Sequence, residues 1–170
     1  TYEWNTSNIF GFVKKSTLIN HAKEKLNISI LDGIQNILPY GVGSELQRNV
    51  SNLADAYKRS ELQKENGIGI FALSAIIVDK AEPSEALKAN IVWSLGLGEP
   101  KHLLSSTQLK KFRNNEHLQE EIDIKGEKGA YFIYTELELS PNSEKDWMII
   151  ANVNQTHSAI CNISETLKSK

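Results

Sequence analysis

The 170-residue chain is 40% hydrophobic, enough apolar surface for one domain with its own core and too little length for two substantial ones. With 24% charged residues and a formal net charge of −2, it has neither the basic excess of a generic nucleic-acid binder nor the low hydrophobicity and high charge of a disordered chain. Its single cysteine, Cys161, excludes an internal disulfide, so the core has to hold without covalent staples.

The chain opens at Thr1 with no methionine and no basic-then-apolar leader, which reads as a mature exported protein, periplasmic or secreted, with a cytoplasmic location as the alternative. Sequons at Asn5, Asn27, Asn49, Asn154 and Asn162 fall in a chain rich in Asn, Ser and Thr and read as composition. The Asn/Lys/Ile bias suits a bacterial source.

In chain order, Ser16 or Thr17 can cap a turn followed by Leu18, Ile19, Ala22 and Leu26, an apolar stripe at helical spacing. Ile30, Leu31, Ile34, Ile37 and Leu38 make a second short stripe, stopped by Pro39. The clearest helix covers residues 44–65. Ser44 and Gln47 make a capping box, Leu46, Val50, Leu53 and Tyr57 recur at three and four residues, and Asn66-Gly67 ends the run. Residues 68–79 then read as a buried central strand. The apolar run is too short to cross a bilayer, and Gly67-Ile-Gly69 precedes a strand instead of following one, so no nucleotide fingerprint is present. A turn at Glu82-Pro83-Ser84 leads to a strand at 89–97, and Ser105 or Ser106 can cap a short helix through Gln108, Leu109 and Phe112.

The C-terminal part alternates in the antiparallel manner at 130–139, 147–154 and 157–165, a three-stranded meander. On its first strand Tyr131, Ile133, Thr135, Leu137 and Leu139 share one face, and Phe132, Tyr134, Glu136 and Glu138 the other. The expected fold is a single α+β domain over residues 1–170, with N-terminal helices packed on one face of an antiparallel sheet of about five strands ending in the meander.

Chemistry-bearing motifs are scarce. His21, His102, His117 and His157 lack metal-ligand spacing, and Ser74 and Ser94 lack a nucleophile elbow, so no metal, cofactor or catalytic serine is expected. His157 and Cys161 on a strand would sit about 13 Å apart, with Cys161 on a core face beside Ala159 and Ile163. The favoured function is a non-catalytic protein-binding module, of the immunity or inhibitor type, that occludes a basic toxin or enzyme. Glu120, Glu121 and Asp123 would steer that partner, and Phe132, Tyr134 or Trp147, beside Glu136 and Glu138, would anchor it. Two alternatives stand: a small hydrolase or carbohydrate-active enzyme using Glu136 or Glu138, and a ligand-binding domain of a larger receptor. Neither a nucleic-acid partner nor a transmembrane segment is expected.

Overall fold

The computed structural model describes residues 1–49, 51–74 and 87–168. In chain order these form β1 (Tyr2–Ser7), β2 (Gly11–Ile19), β3 (Leu26–Ile37), α1 (Ser44–Asn49), α2 (Ser51–Ala56), β4 (Lys58–Gln63), β5 (Ile68–Leu73), β6 (Lys88–Leu95), β7 (Lys101–Leu103), α3 (Leu109–Arg113), β8 (Asp123–Lys125), β9 (Gly129–Leu139), β10 (Glu144–Thr156) and α4 (His157–Lys168). Among the described residues the fold is mostly β, which overturns the expected α+β layering.

The strands make two antiparallel sheets. One runs β1-β2-β10-β6-β5-β4-β8 and the other β3-β9-β7. Residues directly opposite each other in an antiparallel pair share a face. In the large sheet this lines up Leu62, Phe71, Val92, Ile149 and Trp147 on one side. They meet Tyr131 and Ile133 of β9, together with Leu97 and Leu104, in the central core. The opposite side of the large sheet carries Ile68, Ile91, Trp93 and Ile150, which α4 covers with Ile160, Ile163 and Leu167. The outer face of the small sheet, with Leu103 and Phe132, is covered by Leu118 and by Leu109 and Phe112 of α3. Two sheets thus stack face to face, with a short helix against each outer side.

Several expectations change accordingly. The stripe at 18–26 lies in β2, the turn after it and the first residue of β3, and the stripe at 30–38 lies largely in β3. The helix at 44–65 resolves into two short helices ending at Ala56, followed by strand β4. Of its expected stripe, Val50 and the side chains of Leu46 and Leu53 lie outside the described residues, as do 75–79 and the turn Glu82-Pro83-Ser84. Gly67 turns the β4–β5 hairpin instead of ending a helix, with φ of 67°. The β9 faces are as expected, but β9 and β10 belong to different sheets, so no meander forms. The last expected strand is the helix α4, whose buried positions Ile160 and Ser164 recur at helical spacing.

Candidate functional site

Most of the sequence-predicted site residues are committed to other groups of the chain. Glu121 is buried, and its carboxylate accepts from the backbone N–H groups of Leu104 (2.7 Å) and Ser105 (2.8 Å), from Gln108 Nε2 (2.7 Å), and from the hydroxyls of Ser105 and Thr107. It organises the loop after β7 and is closed to a partner. Phe132 and Trp147 are buried too, in the outer and central cores respectively. Asp123 is exposed but paired with Arg59 (3.0 Å) and Lys125 (3.5 Å). Glu138 pairs with Lys25, and Glu136 accepts the Tyr134 hydroxyl at 2.8 Å. Glu136 and Glu138 therefore stand exposed on their strand face, with no helix of the described residues over them.

Glu120 is the predicted acid that lies in a concavity. A cleft of about 510 Å³ between the β4–β5 turn and the β6–β7 loop is lined by Lys64, Gly67, Ser94, Lys101, His102 and Glu120, among others. Glu120 bonds Lys64 (3.1 Å) and lies 3.5 Å from His102 Nδ1. Burial would raise its carboxyl, but Lys64 and His102 outweigh this and hold it below its usual range. Burial lowers the His102 imidazole, Glu120 offsets only part of that, and the ring is neutral near pH 7. Its other edge packs on Gly67: a Cβ there would come 2.7 Å from Nε2. Below it, the buried Tyr131 hydroxyl donates to the Gly67 carbonyl at 2.7 Å. Both sides of the imidazole are thus taken up by the fold. On α4, Cys161 is exposed, off the core face expected for it, with Sγ 3.9 Å from His157 Nδ1, because one helical turn brings together what a strand would hold apart.

A different surface is left largely uncovered by the described residues. The inner face of the large sheet continues past the cover of the small sheet onto the β1–β2 hairpin, where Tyr2, Trp4 and Phe12 are 70%, 53% and 51% exposed. These positions alternate with Glu3, Asn5 and Val13 as strand geometry requires, so the three rings project to one side. The cover stops at a polar cluster. Asp32, on the inner face of β3, accepts from Trp147 Nε1 (2.7 Å), Ser16 Oγ (2.9 Å), the Gly33 N–H (2.9 Å) and the ammonium of Lys14. Burial would raise the Asp32 carboxyl, but the bonds from Lys14, Trp147 and Ser16 and the Lys14 charge prevail and keep it ionised. Lys14 Nζ in turn lies 5.4 Å from the centroid of the Tyr2 ring, a cation–π contact that positions the first aromatic of the row. On the other side, Phe10 at the hairpin tip packs edge-on against Trp93, with centroids 5.9 Å apart. The hairpin is clamped on both faces while its aromatic row stays open.

Sequence reasoning passed over this row. The signal that could have found it is the alternation Tyr2, Trp4, Thr6, strand-forming residues at period two. Among the described residues no group of His, Cys, Asp and Glu is arranged to hold a metal, and no helix is long and apolar enough to cross a membrane. No family model matches the chain, and no curated protein sequence matches it.

Proposed function

We propose that the protein is a non-catalytic binding module that docks another protein on the β1–β2 hairpin. The observation that carries this reading is the row of Tyr2, Trp4 and Phe12, three large apolar side chains at the rim of the sandwich that stay more than half exposed among the described residues. Scattered exposed hydrophobics are ordinary, but a contiguous aromatic patch on a rigid element is the composition of an interface centre. The partner is a protein rather than a sugar because the row borders β1, a strand edge open among the described residues, whose backbone groups suit a polypeptide strand. The narrower expectation, an inhibitor steering a basic partner with Glu120, Glu121 and Asp123, draws little support. One of these acids is buried and the other two have basic neighbours that cancel their field. A hydrolase built on Glu136 and Glu138 lacks the roofed cleft it needs.

A photo-crosslinking amino acid placed at Phe12 should give discrete protein adducts in the native host, and the double change Tyr2→Ser and Trp4→Ser should abolish them. The same probe at Glu138 marks the sheet face expected from sequence. Adducts from Glu138 alone would overturn the hairpin reading in favour of that face.

A further inference from the structure

The partner that fits β1 can be specified from its hydrogen-bonding pattern. Thr1 and Thr17 exchange both backbone bonds, Thr17 N–H to Thr1 O at 2.9 Å and the Thr1 amino group to Thr17 O at 2.8 Å. In an antiparallel ladder such bonded pairs alternate with non-bonded ones. The register Tyr2↔Ser16 through Ser7↔Gly11 therefore turns Glu3, Asn5 and Ser7 towards β2. The N–H and C=O groups of Tyr2, Trp4 and Thr6 point outward, away from the sheet. These three residues are symmetric about Trp4.

Among the described residues this edge is also unprotected, unlike the other three sheet edges. β7 and β8 are three residues long and carry Lys101, and Asp123 with Lys125, respectively. β3 is interrupted by a register shift between Gln35 and Ile37, with Asn36 at a φ of 57°. Short length, charge and bulges are the usual means of blocking edge-to-edge pairing. β1 has six regular residues, aromatic and β-branched on its inner face, with Glu3 as its sole charge and that on the opposite face.

We infer that the partner at β1 is a second copy of this chain, paired antiparallel through a two-fold axis at Trp4, an inference that rests on the protein-binding reading above. In this register Trp4 faces Trp4 of the second copy, and Tyr2 faces its Thr6. Every outward N–H and C=O of the strand then finds a partner. Shifting the axis by one residue to either side and keeping the aromatic faces together leaves outward groups of one residue per copy unpaired. On the inner face two indoles adjoin across the axis with a Tyr–Thr pair on each side, both favoured cross-strand combinations. On the outer face Glu3 meets Asn5 of the other copy, so no like charges oppose each other. The two large sheets become one continuous sheet, and the aromatic row of each copy extends into that of the other.

Sedimentation equilibrium from micromolar to millimolar concentration should show a monomer–dimer equilibrium, weakened about tenfold or more by Trp4→Lys, which sets two ammonium groups side by side on the axis. Register is tested separately. Residues opposed in a bonded antiparallel pair have Cα atoms about 5.5 Å apart, within disulfide range. In a Cys161→Ser background, Trp4→Cys should therefore crosslink two chains under mild oxidation, and Glu3→Cys should not. A chain that stays monomeric at all concentrations, or equal crosslinking from both positions, would overturn the pairing. A monomer whose Phe12 probe still captures a protein, sensitive to Tyr2 and Trp4, would overturn the second copy and leave the protein-binding reading standing.

Discussion

Asp32 is a carboxylate between two sheets whose cost of burial is offset by four donors, one of them the buried ammonium of Lys14. Replacing it with alanine removes every partner of the Lys14 charge except the Tyr2 ring and leaves the Trp147 indole N–H without an acceptor. Breaking one side of a buried pair is expensive because the remaining charge stays desolvated, and Asp32→Ala should destabilise the fold by about 3 kcal/mol in urea unfolding. Asp32→Asn keeps the shape and two of the hydrogen bonds and should cost less. The same cluster explains why the sequence misled. Lys14, Ser16 and Asp32 are inward-facing, so the alternation that announces a half-buried strand is absent from β2 and interrupted in β3, and the apolar residues left over fall at helical spacing. The aromatic row leans on that cluster, so the site was hidden by the residues that support it.

At the scale of elements, legibility followed the purity of the pattern. Strands β5, β6, β9 and β10 carry clean apolar faces and are close to where the sequence puts them; the short helix α3 forms nearby, but its N-cap is Gln108 and not Ser105 or Ser106. Strand β4 was lost inside an expected helix because its inward positions are Lys58, Ser60 and Leu62, one apolar residue in three. Lys58 is admitted there by Asp55 and Gln47, partners that no periodicity reveals. Helix α4 was lost because Ala159, Cys161 and Ile163 imitate strand alternation, while the true stripe is broken by Ser164, which receives the side-chain amides of Gln63 (3.0 Å) and Asn66 (2.6 Å). The β4–β5 hairpin supplies a sharp test. Gly67 and Gly126 have φ of 67° and 72°, but a Cβ at Gly67 would strike the His102 ring and one at Gly126 would meet nothing within 4 Å. Gly126→Ala should cost only the left-handed backbone penalty, about 1 kcal/mol, and Gly67→Ala about 2 kcal/mol or more. Equal losses in thermal unfolding would refute the His102 contact.

For the whole molecule, Asp32 and His102 act in one direction on the acid side. Asp32 has a folded pKa below its ordinary 3.8, so its contribution is present above that value and fades as pH falls through the folded one. His102 also has a folded pKa below its ordinary 6.5, so the unfolded chain binds the extra proton first and stability falls as pH drops below about 6.5. The fold should therefore lose stability as pH falls below about 6.5, before the carboxylates titrate. His102→Gln should flatten that part of the urea-midpoint profile, and an unchanged slope would assign it to other groups. The large sheet has a further consequence, in time rather than energy. Strand β2 holds its place in the sheet by pairing with β10, the last strand of the described chain. Closing that pairing means bringing together nearly opposite ends of the sequence, the slowest kind of contact to form. During synthesis the hairpin is made well before β10 and docks only after it, so the aromatic row takes its place in the sheet only once β10 has been made.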